Sequence, residues 1–185
     1  GTLRYQVNIG NGIDNSTTVV GNIAYFSTRS GDVVAFDFRQ KDVRFQKAIW
    51  HLWLQLWVWS VAPAPKPVPG VVWVRRLNDP VMGDLAMADG RLFVASVSGK
   101  LRALDLATGR VLWTAKDLGR TYSSPIVSGD TVIQAVSGGT VYGVDAATGQ
   151  TKWSLSVEGT IITSPVLGSQ TLFIPTIEGQ LYASR

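Results

Sequence analysis

The sequence predicts an all-β fold, a propeller of four-stranded antiparallel blades, and three observations carry the prediction. A block recurs after 40 residues: ALDLATGRVLW at Ala103 to Trp113 is followed by GVDAATGQTKW at Gly143 to Trp153, pairing Asp105 with Asp145, Gly109 with Gly149 and Trp113 with Trp153. The period extends outward, with Ser124-Pro125 set 40 residues before Ser164-Pro165 and Trp73 set 40 before Trp113. Each repeat also breaks into four short runs rich in Val, Ile, Thr, Tyr and Trp; the clearest copy reads SSPIVSG, TVIQAVSG, TVYGVDA, TKWSLSV. Four antiparallel strands per repeat make a blade, and units of this length bury their apolar faces only against neighbours.

The turns are explicit in chemistry. Gly21-Asn22, Asp89-Gly90 and Gly129-Asp130 supply residues that accept positive φ in tight hairpins. Between the third and fourth strands runs Asp-x-x-x-Gly-x-x-x-Trp, in which the Asp accepts backbone N–H groups across the turn and the Gly provides its left-handed residue. The Trp four positions on, Trp73, Trp113 or Trp153, is expected to fill the space between adjacent blades, because large aromatics in repeats are packing units.

The residues ALDLATGRVLW, GVDAATGQTKW and the two Ser-Pro steps resemble the PQQ-like repeat propellers, a group that includes quinoprotein alcohol dehydrogenases and the outer-membrane assembly lipoprotein of the BamB type. The resemblance covers about 130 residues and implies eight blades. Its enzymatic branch implies adjacent cysteines over the cofactor and a calcium site with a catalytic Asp. This chain has no cysteine, so neither that chemistry nor a bound cofactor is expected.

Extending the repeat register to the ends makes them complementary. Gln180 to Arg185 aligns with Lys100 to Asp105 and stops after three strands of a blade, while Gly1 to Tyr5 aligns with Gly109 to Trp113, the fourth strand. The expectation is therefore one domain over 1–185, with four blades and an N-terminal strand, Thr2 to Asn8, closing the last of them and removing an exposed edge. Two chains forming one eight-bladed ring is the preferred assembly, beside a closed four-bladed monomer and a fragment of a longer protein. Gly1 to Gly10 has no basic start followed by an apolar run, so no signal peptide is read there.

The first repeat is interrupted. Asp105 and Trp113 are eight positions apart, but Asp37 and Trp73 are 36 apart, which puts an insertion over 38–72 where the tight turn belongs. It contains AIWHLWLQLWVWSVA, expected as an apolar helix over 48–62, and a proline-rich spacer over 63–70 that cannot continue it. Trp50, Trp53, Leu54, Trp57 and Val61 fall on one face, and Leu52, Leu56 and Trp59 make the other apolar too. Fifteen residues reach about 22 Å, short of the ~30 Å hydrocarbon core, so the segment is read as lying on a surface and not as spanning a membrane.

Charge gathers at the same place. Residues 38–72 hold Arg39, Lys41, Arg44, Lys47 and Lys66 against Asp42, which accounts for the whole net charge of +4. Basic residues beside tryptophans suit a partner protein, an anionic membrane interface or self-association; a third reading folds the helix back over its own propeller. The expected binding residues are Arg44, Lys47, Trp50, Trp53, Leu54, Trp57 and Trp59. No catalytic, cofactor or metal site is expected: the single histidine, His51, sits within the apolar run, and no nucleophile, phosphate-loop or metal-ligand spacing occurs. Nucleic acid is not an expected partner, since charge is balanced outside the insertion. The functional expectation is a non-enzymatic scaffold or accessory subunit of a cell-envelope, membrane-associated complex. A PQQ-binding or ligand-sensing propeller is the alternative.

Overall fold

The computed structural model describes residues 12–39, 46–61 and 70–185. They form four antiparallel sheets in chain order, and within each sheet strands consecutive in sequence are neighbours. The first blade comprises β1 (Thr18–Val20), β2 (Ile23–Ser27), β3 (Asp32–Asp37) and β4 (Val71–Arg76), with a helix, α1 (Gln46–Val58), between β3 and β4. The second comprises β5 (Ala86–Ala88), β6 (Arg91–Ala95), β7 (Leu101–Asp105) and β8 (Val111–Ala115). The third comprises β9 (Ile126–Ser128), β10 (Thr131–Ala135), β11 (Thr140–Asp145) and β12 (Thr151–Ser156), and the fourth β13 (Val166–Leu167), β14 (Leu172–Pro175) and β15 (Leu181–Ser184). The strand expected over Thr2 to Asn8, together with Arg44 and most of the proline spacer, lies outside the described residues.

The core lies between blades. A strand turns alternate side chains to opposite faces, and an inner blade has a neighbour on each, so its middle strands are buried on both faces. In β6, Phe93 and Ala95 pack forward onto Val132, Val136 and Val144 of the third blade. Leu92 and Val94 pack backward with Tyr25, Val33 and Ala35 of the first. The third blade repeats this forward, with Ile133, Ala135 and Val141 against Leu172 and Ile174.

Hydrogen bonds reproduce the repeat at each junction. The N–H groups of Val97, Ser137 and Ile177 donate to the carbonyls of Pro80, Arg120 and Thr160 at 2.8, 2.8 and 3.0 Å. The Ser-Pro steps belong to a second series, two residues before each inner strand: Ser16 N–H donates to Asp84 Oδ1 (2.6 Å), Asp84 N–H to Ser124 Oγ (2.8 Å) and Ser124 N–H to Ser164 Oγ (2.8 Å).

One buried ionic cluster lies between the first and second blades. Asp79, 5% exposed, takes hydrogen bonds on Oδ2 from Ser96 (2.8 Å), Ser98 (2.6 Å) and the Arg102 guanidinium (3.2 Å). Burial alone raises its pKa, yet these donors outweigh burial and hold the carboxyl below its ordinary value.

Candidate functional site: the tryptophan sockets and the inserted helix

The Asp-x-x-x-Gly-x-x-x-Trp element works across blades. Asp105 Oδ1 accepts Thr108 N–H (2.8 Å) and Thr108 O–H (2.6 Å), while Gly109 N–H returns to Asp105 O (2.8 Å), closing the turn. Asp145 does the same with Thr148 N–H (2.8 Å) and O–H (2.9 Å) and Gly149 N–H (2.8 Å). The Thr148 hydroxyl and N–H, with Lys152, hold Asp145 down to about 2; Thr108 lowers Asp105 in the same way.

Each finished turn is the socket for the tryptophan of the blade before it. Trp73 donates its indole N–H to Leu106 O at 3.1 Å and lies on Gly109, where a Cβ would meet the ring at 2.5 Å. Trp113 donates to Ala146 O at 3.0 Å and lies on Gly149, where the corresponding approach is 2.6 Å. Gly109 and Gly149 have φ of +66° and +77°. They are thus required twice over, for the turn and for the indole above it.

Trp153 departs from this expectation. The socket that would receive it corresponds to positions beyond Arg185, and the ring instead folds back over Gly143, its cross-strand neighbour. The equivalent neighbours of Trp73 and Trp113 are Ala35 and Ala103, whose methyl groups occupy that space. Trp153 remains 38% exposed and borders a cavity of about 300 Å3 that is also lined by Leu155, Leu167, Leu172 and Arg185.

The insertion leaves the first blade intact. Asp37 N–H donates to Gly70 O at 2.7 Å, the counterpart of Asp105 N–H to Arg110 O at 2.8 Å, so the extra residues are pinched off at the base of an ordinary turn. The bulge between Ala35 and Phe36 likewise matches those at Ala103/Leu104 and Gly143/Val144. Asp37 is held below its ordinary pKa by hydrogen bonds from the Arg39 side chain and N–H.

Helix α1 runs over Gln46–Val58, starting before and stopping short of the expected 48–62. It stops because Ser60 adopts φ +58° and the two capping bonds form, Ser60 N–H to Trp57 O (2.9 Å) and Val61 N–H to Leu56 O (2.9 Å). The polar residue ends the helix before the first proline is reached. Trp53, Trp57 and Trp59 are 42%, 45% and 76% exposed, with Leu52, Val58 and Val61 exposed beside them. Leu54 and Leu56 are half-buried. The backbones of Lys47 and Trp50 lie in the first turns of α1. Among the described residues no helix is long and apolar enough to cross a membrane.

Sequence reading did not find the Asp79 cluster or the linked series at Ser16, Asp84, Ser124 and Ser164. The serine of each Ser-Pro step was the available signal for the latter.

Successive four-stranded blades locked by a Trp on a Gly turn define a PQQ-like repeat β-propeller. The family profile described as outer membrane protein assembly factor BamB matches residues 58–185, and the chain belongs to that family. Among solved structures it is similar to BamB from Moraxella catarrhalis, at 22% identity and a TM-score of 0.66, over 98% of this chain and 48% of that one. It is similar as well to the quinohemoprotein alcohol dehydrogenase from Comamonas testosteroni, at 18% identity and TM-score 0.65, over 90% of this chain and 29% of that one. A third is the computationally designed Ika4 protein, at 12% identity and TM-score 0.69, over 100% of this chain and 98% of that one. The chain thus spans about half the length of the BamB structure. No curated protein sequence matches it. Among the described residues no group of three His, Cys, Asp or Glu side chains is placed to hold a metal ion.

Proposed function

We propose that this chain is a non-enzymatic propeller subunit of an envelope-located, outer-membrane-associated protein complex, and that α1 is its docking surface for a protein partner. Family membership supports the accessory role and the location. The observation that carries the surface is the exposure of Trp53 and Trp57 on α1, and of Trp59 just past its end, in a segment pinched off at the Asp37–Gly70 base. Leaving several indoles in water forgoes roughly 2 kcal/mol for each side chain that a partner would bury. Trp is enriched among binding anchors, and the basic residues Arg44, just before α1 in sequence, and Lys47, in its first turn, favour an acidic rim on the partner.

The test replaces residues 38–69 with Leu-Ala-Thr-Gly, the sequence joining Asp105 to Arg110. Thermal unfolding should match the parent and circular dichroism should lose only the helical contribution of α1, while co-purification with outer-membrane assembly complexes from envelope extracts should be lost. Retained co-purification removes α1 from the interface. Saturable binding of PQQ with calcium, seen as a rise in Tm, would overturn the non-enzymatic reading.

A further inference from the structure

Helix α1 carries its indoles and its charge in different places. Trp53 and Trp57 stand four residues apart, on one face and about 6 Å apart along the axis, and are 42% and 45% exposed. His51 and Gln55, also four apart, fall on the opposite side at about 100° per residue, and both are exposed. No residue from Ala48 to Pro65 is Lys, Arg, Asp or Glu. Lys47 falls in the first turn, behind Lys41 and Arg44, with Asp42 the one acid among them; the first turn holds no acid and the last no base. The helix is thus a rod with its positive charge at the N-terminal end and its indoles along the later turns.

This distribution discriminates between surfaces. A helix lying flat on an anionic bilayer carries Lys and Arg along its polar face, whereas the polar face of α1 holds His51 and Gln55. A helix received lengthwise in a protein groove needs apolar anchors at helical spacing, and charge only where the groove ends. The length agrees: the turn at Ser60 stops the helix after 13 residues, so the element offered is about 20 Å long, with Trp59 beyond its end.

We propose, resting on the docking role given to α1 above, that the partner protein receives this helix lengthwise in an apolar groove. The groove has two pockets about 6 Å apart for Trp53 and Trp57, and carboxylates at the end that meets Lys47, about 9 Å from the nearer pocket. The charge at one end sets the direction in which the helix lies, and the paired indoles set its rotation. Trp59, though 76% exposed, adds little, because it follows the last turn.

The test titrates the full chain against the immobilised, detergent-solubilised outer-membrane assembly complex, with Tm as the check on folding. Trp53→Ala and Trp57→Ala should each weaken binding by about 30-fold, and Trp59→Ala by less than about 3-fold. Gln55→Pro breaks the helix but keeps both indoles; it should abolish binding at unchanged Tm, since the insertion is pinched off at the Asp37–Gly70 base. Lys47→Gln with Val61→Lys moves one charge to the other end and should weaken binding about tenfold at constant net charge. The groove is overturned if Trp59→Ala has the largest effect, if binding survives Gln55→Pro, if the moved charge makes no difference, or if phosphatidylglycerol vesicles bind the chain equally well. Binding retained when residues 38–69 are replaced removes the docking role of α1 itself. Binding lost on that replacement but kept in Gln55→Pro sinks the groove alone.

Discussion

Replacing Gly149 by Ala should cost far more than the same change at Gly129, and the difference measures what a docked tryptophan contributes to the propeller. Both glycines have positive φ, +77° and +56°, so both substitutions bear the left-handed penalty of about 1–2 kcal/mol, offset by about 0.4–1 kcal/mol from a stiffer unfolded chain. At Gly129 a Cβ meets nothing within 4 Å, and the cost stops near 1 kcal/mol. At Gly149 the new methyl would stand 2.6 Å from Trp113 Cε3, and backbone holds it there through Gly149 N–H to Asp145 O, so the indole must leave. Its departure forfeits the bond to Ala146 O, about 0.5–1.5 kcal/mol, and about 1.5–3 kcal/mol of interblade burial. The expected total is about 3–5 kcal/mol, or roughly 10 °C in Tm for a domain of this size. Urea and thermal unfolding followed by far-UV circular dichroism would give both values, with Trp113→Phe reporting the loss of the hydrogen bond together with part of the buried ring. Gly149→Ala no more harmful than Gly129→Ala would refute the socket.

The remaining expectations follow from the charged residues. Asp79→Ala strands the Arg102 guanidinium, 10% exposed, and should destabilise by about 3–5 kcal/mol, while Asp79→Leu with Arg102→Met should recover most of that loss in urea denaturation. Asp145 has a folded pKa of about 2 against an ordinary 3.8, so its contribution is complete above the unfolded value and fades as pH falls toward the folded one. Between about pH 4 and pH 2 the parent should therefore lose stability more steeply than Asp145→Asn; parallel pH profiles would show that the turn does not use the carboxylate charge.

The blades were legible in the sequence because their determinants are local. A Thr-Gly turn closed by its own Asp, and strand runs bounded by Gly and Asp, recur at a fixed spacing whatever stands beside them, so Asp105, Gly109, Asp145 and Gly149 announce their roles from the register alone. The Trp positions were legible only in part. Trp73 and Trp113 owe their placement to a glycine and a carbonyl in the following blade, whereas the same residue type at Trp153 folds back onto Gly143 of its own blade. Asp79 shows the opposite case: nothing near it in sequence marks a buried carboxylate, because Ser96, Ser98 and Arg102 reach it from the next blade. The helix was visible as composition, but its end was set by backbone geometry at Ser60, which an apolar run of uniform character does not disclose. In a repeat protein the period discloses each unit, while the interfaces depend on which unit comes next.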